Sequence, residues 1–308
     1  MKVHFGIDEF ETRQNIALTI GTFDGVHLGH KIVLQNLIKQ AKKINGESVL
    51  LTFHPHPRLV LYPENNDLKM LNTQEEKIEL LDKTGIDHLI IHPFTREFSR
   101  LSSTEFVRDI LVNKLNTKVL ITGHDHHFGR NREGSFQELN ELATLYSFEL
   151  EKQPALEIES INVSSTKVRT AIQEGDIGKA NTFLGYHYQL MGEVVEGDQL
   201  GRTLGFPTAN IFVKNHHKLI PPVGAYAVYV FRNNDKFKGM LNIGKRPTIH
   251  NVSKKTIEVN IFDFDNTIYG ENIVVEFVEK IRDEKKFDDV HLLQKQLEID
   301  KNKCLNLL

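Results

Sequence analysis

The sequence predicts two folded parts in series: an α/β domain built on a parallel sheet, then an antiparallel barrel or sandwich with a helical tail. Three observations predict it. The first half alternates short apolar runs with amphipathic stretches, which implies strand–helix–strand crossovers. After about Gly185 the runs become β-branched or alternating, with Gly, Pro and Asn between them and no long helical pattern. The 308 residues also suit two ordinary domains, each large enough to bury a core.

Ile16–Ile20 is the first predicted strand. A helix follows over Lys31–Lys42, because Val33, Leu34, Leu37, Ile38 and Ala41 share one face at helical spacing. Val49–Phe53 is the second strand. Thr73-Gln74-Glu75-Glu76 is a capping box that opens the next helix, since Thr73 and Glu76 can satisfy each other's orphan amides. Strand Leu89–Ile91, a helix over Thr104–Leu115 behind the Ser102/Glu105 capping box, strand Val119–Thr122 and helix Phe136–Tyr146 continue the alternation. Beyond a boundary in the Gly175–Gly185 region come strands Ala225–Phe231, Gly239–Ile243, Thr256–Phe264 and Ile273–Ile281, whose short connections favour antiparallel neighbours. The tail, Val290–Leu308, is helical again, with Val290, Leu293, Leu297 and Cys304 on one stripe.

Composition excludes several classes. A formal net charge of -3 argues against binding polyanions through bulk charge. Cys304 is the only cysteine, so neither an intrachain disulfide nor a cysteine zinc site can form, and the cytosol is the expected compartment. The start, Met1 to Glu11, mixes Lys2, His4, Asp8 and Glu9 among apolar residues and lacks the apolar heart of a signal peptide. No run has the length to cross a bilayer. A soluble cytoplasmic protein is expected.

The first candidate site follows strand Ile16–Ile20. There the run Gly21-Thr22-Phe23-Asp24-Gly25-Val26-His27-Leu28-Gly29-His30 leads into a helix. Ligands of open parallel sheets sit at the carboxyl ends of strands, and a helix N-terminus offers unpaired amides and positive potential to phosphate. Gly29 permits close approach, and His27 and His30 can donate to phosphate oxygens. By itself, H-x-x-H fits half a zinc site equally well. The full run is more specific: it resembles the adenylyltransferase module of bacterial riboflavin kinase/FAD synthetases, a branch of the H-x-G-H nucleotidylyltransferases.

Later segments carry the same resemblance. Ser164-Ser165-Thr166-Lys167-Val168-Arg169 is similar to the family's S-S-T-x-x-R, a loop that closes on ATP phosphates. Gly123-His124-Asp125-His126-His127-Phe128-Gly129 matches Gly-x-Asp/Asn-Phe-x-Phe-Gly, except that His126 stands where Phe is usual. Phe53-His54-Pro55-His56-Pro57-Arg58 looks like the family's flap over the flavin. The resemblance implies ATP contacts from Gly21, Phe23, Asp24, His27, Gly29, His30, Ser164, Ser165, Thr166 and Arg169, and flavin contacts from Asp125, His54 and Arg58. His27 and His30 take the catalytic role of stabilising charge on the phosphates.

In the second half, Gly201-Arg202-Thr203-Leu204-Gly205-Phe206-Pro207-Thr208-Ala209-Asn210 resembles the riboflavin kinase motif ending in P-T-A-N. Alternation puts Thr208 and Asn210 on one side of an extended segment, where two neutral oxygens can share a Mg²⁺ with ATP phosphates. The same resemblance implies that Gly201, Gly205, Phe206, Pro207, Thr208 and Asn210 bind ATP and that Glu258 is the catalytic base. Within Thr256-Ile257-Glu258-Val259-Asn260-Ile261-Phe262-Asp263-Phe264, Glu258 shares a face with Asn260 and Phe262, and Asn260 replaces the commoner His. Gly239–Thr248 is expected to line the pocket. Ile281-Arg282-Asp283-Glu284-Lys285-Lys286-Phe287 looks like the flavin loop, with Arg282 and Phe287 as contacts.

The resemblance runs from Gly21 to the terminal helix and implies a Rossmann-like nucleotidylyltransferase sheet over 1–182 and a riboflavin kinase β-barrel with a terminal helix over 183–308. It implies phosphorylation of riboflavin to FMN by the second domain and adenylylation of FMN to FAD by the first, with ATP and Mg²⁺ in both steps. The second pocket is expected inside the barrel, beside Glu258. A monomer or weak homo-oligomer is expected, with no nucleic acid or membrane partner. One rival reading keeps only the kinase active. Another is a non-catalytic flavin-responsive regulator or RNA binder, against which stand Glu258, Thr208 and Asn210, the lack of a basic stripe and the absence of Trp.

Overall fold

The computed structural model describes residues 1–11, 14–64, 67–123, 135–158, 161–197, 201, 204–233, 235–246, 254–287 and 289–308. The chain packs as two compact units, Met1–Leu68 with Lys77–Val163, and Lys69–Glu76 with Ser164–Leu308.

The first unit is built on one six-stranded sheet in the order β1-β4-β3-β2-β5-β6. Its strands are Lys2–His4 (β1), Ile16–Ile20 (β2), Glu47–His54 (β3), His88–Pro93 (β4), Thr117–Thr122 (β5) and Glu149–Lys152 (β6), every pair parallel. From β2 the chain proceeds outward through β3 and β4 on one side and later through β5 and β6 on the other. The direction of winding therefore reverses beside β2, the position at which such sheets bind ligands. All of β2 is buried, as expected of a central parallel strand covered on both faces. Helix Leu28–Lys43 (α1) packs on β2, β3 and β5. Pro57–Leu61 (α2) and Gln74–Asp82 (α3) follow.

The expected helix after Ser102 begins on schedule. Ser102 Oγ accepts from the Glu105 amide, and the Glu105 carboxylate accepts from the Ser102 amide, completing the capping box. After one turn, Ser103–Glu105 (α4), the segment Phe106–Lys114 continues as a π-helix and still buries Phe106, Val107 and Leu111. These join Leu139 and Leu142 of Phe136–Tyr146 (α5) over Leu18, Val49, Leu51 and Leu120 of the sheet. A ribbon of Glu157–Ile158 (β7) and Ile161–Asn162 (β8) ends the unit's elements.

The second unit opens with Ser165–Glu174 (α6) and Ile177–Leu184 (α7), each closed by a left-handed glycine, Gly175 and Gly185. Six antiparallel strands then close into a barrel in the order β10-β13-β12-β11-β14-β9. They are Tyr188–Val195 (β9), Ala209–Phe212 (β10), Gly224–Arg232 (β11), Asp235–Arg246 (β12), Lys254–Ile261 (β13) and Asn272–Arg282 (β14). Val290–Leu307 (α8) packs on β11, β12 and β14.

The barrel interior is solid. Tyr188, Tyr226 and Phe277 are fully buried and their rings meet there, with Val228, Leu241, Ile257 and Val259 alongside. Side chains fill a six-stranded barrel of this size, so the expectation of a pocket inside it is corrected. Because Ile257 and Val259 point inward, alternation turns Glu258 and Asn260 to the outer face. That face carries a second core, in which Phe206, Ala225, Ala227, Met240 and Phe262 pack with Cys304 of α8.

Candidate active sites

In the first unit the loop after β2 is held in an uncommon conformation. Phe23, Gly25 and Val26 all have positive φ, at 48°, 88° and 36°. For Val26, a β-branched residue, that backbone is strained, and such strain clusters at functional sites. The loop is also buried: Phe23, Asp24, Val26 and His27 are each at most 5 % exposed. His27 caps α1, its Nδ1 accepting from the His30 amide at 3.3 Å. The two imidazoles stack with ring centres 3.7 Å apart, and Phe23 lies 4.5 Å from the His30 ring on its own account.

Gly29 has a definite reason to be glycine, because a Cβ there would press on the His27 ring at 3.2 Å. His30 Nδ1 is buried without a hydrogen-bond partner among the described residues, so this ring nitrogen is left for a group other than the described protein atoms. Burial first, then the neighbouring His27 and Lys77, hold His30 well below the ordinary histidine range, so its ring is neutral at neutral pH.

Gly21, Phe23, Asp24, His27, Gly29 and His30 thus gather between the end of β2 and the start of α1. His54 ends β3 and Arg58 lies in α2, both exposed. Asp125, with the rest of His124–Gly129, lies outside the described residues, as do Arg202, Thr203, Pro247 and Thr248. Ser164, Ser165, Thr166 and Arg169 belong to the second unit. There Ser164 caps α6 by accepting from the Lys167 amide, and Arg169 Nε donates to the Lys69 carbonyl at 2.7 Å.

The second unit sets its polar residues in one row across the barrel. Asn210 of β10 pairs with Glu258 of β13, Glu258 with Asn242 of β12, Asn242 with Ala225 of β11, and Ala225 with Arg282 of β14. Directly opposed residues on antiparallel strands share a face, with Cβ atoms about 4.5–5.5 Å apart. Glu258, half-buried, therefore stands between two side-chain amides. A Cβ at Gly197 would collide with the Asn210 amide, and one at Gly201 with the Phe206 carbonyl while approaching Thr208 Oγ1 at 3.3 Å. Small residues here let the loop fold down on the Thr208–Asn210 segment. Gly205 turns with φ of 80°.

Asn260 Nδ2 donates to the Pro207 carbonyl at 2.6 Å and ties that loop to the strand of Glu258. Beside them opens a cavity of about 320 Å³ lined by Gly205, Phe206, Pro207, Asn260, Phe262 and Lys301, among others, at the lower end of the range for small-molecule sites. Arg282 Nε bonds Asp300 of α8 at 2.8 Å, so the guanidinium expected to meet flavin also anchors the terminal helix. Phe287 is half-buried with Lys285 over its ring. Sequence reasoning missed Lys77 and Lys301, both set in charged helical runs that read as solvated surface.

Thr208 and Asn210 offer neutral, hard, half-buried oxygens, Asn210 directly opposite a carboxylate, which suits a Mg²⁺ that takes its other ligands from phosphate. In the first unit, the stacked imidazoles at a helix start suit phosphate rather than metal.

Known proteins resemble this chain along most of its length. The sequence model of the FAD synthetase family matches residues 9–167, and that of the riboflavin kinase family matches residues 184–308. A Listeria monocytogenes protein named bifunctional riboflavin kinase/FMN adenylyltransferase is 41% identical over 93% of this chain and 90% of its own. The Haemophilus influenzae protein of the same name is 38% identical over 93% and 92%. A solved chain from Streptococcus pneumoniae, named macrolide-efflux protein, shares the fold with a TM-score of 0.91 and 31% identity, covering 99% of this chain and 98% of its own. No helix among the described residues is long and apolar enough to cross a membrane.

Proposed function

The chain belongs to the bifunctional riboflavin kinase/FMN adenylyltransferase family, and from that membership we infer how its two sites divide the chemistry. It is an enzyme that phosphorylates riboflavin to FMN with ATP and adenylylates FMN to FAD, releasing pyrophosphate. The proposed sequence division is 1–182 for adenylyl transfer and 183–308 for phosphoryl transfer. In this division α6 and α7, which pack with the second unit, count with the first domain by sequence.

For phosphoryl transfer, Glu258 takes the proton of the riboflavin 5′-hydroxyl as that oxygen attacks the γ-phosphorus, and ADP leaves. The observation that carries this reading is the register: Glu258 stands directly opposite Asn210. Thr208 and Asn210 are the residues that would hold Mg²⁺, which neutralises phosphate charge when bound. Gly201, Gly205, Phe206 and Pro207 cover the nucleotide, with the neighbouring cavity in reach, while Arg282 and Phe287 face the flavin.

For adenylyl transfer, a phosphate oxygen of FMN attacks the α-phosphorus of ATP, and pyrophosphate departs. His27, His30 and the amides at the start of α1 stabilise the charge that builds on the phosphates. Gly21, Phe23, Asp24 and Gly29 shape that cradle; Ser164, Ser165, Thr166 and Arg169 are assigned to ATP, and His54, Arg58 and Asp125 to flavin, on their motifs. A cytoplasmic monomer or weak homo-oligomer is the proposed working form.

Chromatography of FMN and FAD over time, from riboflavin, ATP and Mg²⁺, tests the division. Glu258→Ala should stop FMN formation while added FMN still becomes FAD, and His27→Ala should do the reverse. Loss of both steps in either folded variant would refute it.

A further inference from the structure

We propose that Lys77 is a positioning residue for adenylyl transfer, holding the loop after β2 and placing a positive charge within reach of His30. The inference rests on the reading of the first unit given above. Sequence and structure conflict at this residue. Helix α3 reads Gln-Glu-Glu-Lys-Ile-Glu-Leu-Leu-Asp, a charged run in which a lysine belongs in water. Instead Lys77 is 7 % exposed.

Its ammonium lies 3.3 Å from the Thr22 carbonyl and 3.5 Å from Thr52 Oγ1. Thr22 follows β2 in the strained run that leads to His27, and Thr52 lies on the adjacent strand β3. Lys77 therefore holds the loop after β2 and the adjacent strand through two neutral oxygens. Neutral oxygens do not repay the desolvation of a buried ammonium as a bound carboxylate would. Burial, opposed by the field of Asp24, lowers the Lys77 pKa to about 8. The charged and titratable groups facing it are Asp24 from the loop and His30 from α1, with His27 stacked behind.

A cation so placed raises the cost of the empty site and lowers the cost of filling it. The triphosphate adds negative charge to that of the Asp24 carboxylate, whose field Lys77 already feels, and the charge that grows on the departing pyrophosphate gains most from the ammonium. The field of Lys77 adds to burial and to His27 in keeping His30 neutral. Fold stability alone would favour an apolar residue here.

The test is Lys77→Met in the full chain, with riboflavin phosphorylation by the same molecules as internal standard. FAD formation from FMN should fall by up to about 100-fold, mainly in kcat, the lower end of what losing a direct transition-state donor costs. FMN formation should persist, and the thermal midpoint should hold or rise. Lys77→Arg, which keeps the charge, should restore part of the rate. In the native enzyme kcat/KM for FAD formation should decline as pH rises through about 8, because only the protonated amine acts. Lys77→Arg should move that decline upward. Wild-type FAD formation by Lys77→Met, a lowered midpoint with both reactions impaired, or a flat native profile from pH 7 to 10 would each overturn the inference. His27→Ala separates the two levels: if it keeps FAD formation, the assignment of the unit falls and the inference with it. If it loses FAD formation while Lys77→Met does not, only Lys77 is misassigned.

Discussion

The side-chain amide of Asn260 donates to the carbonyl of Pro207 at 2.6 Å, joining the strand of the proposed base to the loop that carries Thr208. Asn260 is 6 % exposed, so the bond is sheltered from water. Replacing it by Asp keeps the shape, removes the donor and aims a carboxylate at a carbonyl. A buried acceptor left unpaired costs about 1–3 kcal/mol. Asn260→Asp should therefore raise KM for ATP in FMN formation by about tenfold or more, with FAD formation from FMN unchanged. Asn260→His, which retains a ring N–H, should lose less. Steady-state kinetics of the two reactions on one preparation decide it.

Lys218 and Glu76 form a fully buried ion pair at 2.5 Å, with side-chain exposures of 0 % and 1 %. The Leu71 carbonyl takes a second Lys218 proton at 2.7 Å, and Glu76 also accepts the Met191 amide at 3.0 Å. Removing one partner strands the other charge, at a cost of about 3–5 kcal/mol. Glu76→Gln should thus lower the thermal midpoint of the second unit by several degrees. The double change Glu76→Leu with Lys218→Met should cost less than the single change. Thermal unfolding of the three variants checks the order.

His30 predicts a response to acid. Burial lowers its folded pKa well below the ordinary value of about 6.5, so the unfolded chain binds the proton more readily. The stability it contributes is full above pH 6.5 and is lost as pH falls toward the folded value. His88 and His92, also lowered chiefly by burial, act in the same direction. Unfolding free energy should decline from pH 7 to 5. In His30→Asn the slope should be shallower by up to one proton, about 1.4 kcal/mol per pH unit. An unchanged slope would show that His30 stays solvated.

Much of this was readable in the chain. Helix Phe136–Tyr146 and strand Ile16–Ile20 have the bounds that their periodicity implied. Both capping boxes form, at Ser102 with Glu105 and at Thr73 with Glu76, because their chemistry is local. Alternation groups Thr208 with Asn210 and Glu258 with Asn260 on their own segments, and only the barrel's closure sets Glu258 opposite Asn210. What stayed hidden depends on distant packing. Strand β9 alternates buried and half-buried residues over Tyr188–Val195, yet Gln189, Gly192 and Glu193 masked its pattern. The outward aim of Glu258 follows from how tightly Tyr188, Tyr226 and Phe277 fill the interior, and no neighbour in sequence reports that. Lys77 is the sharpest case, since nothing about a lysine among glutamates signals a dry location.

The stretch Lys69–Glu76 lies early in the chain but packs with the later unit. Met70 bridges to Lys218, and Leu219 donates its amide to the Met70 carbonyl at 2.8 Å, so these few residues serve as a borrowed edge. Dividing the gene near codon 183 would deliver a barrel whose interior ammonium has lost its counter-ion. The kinase half made alone should be prone to aggregate or melt early, and a synthetic peptide spanning 69–76, supplied in excess, should rescue it.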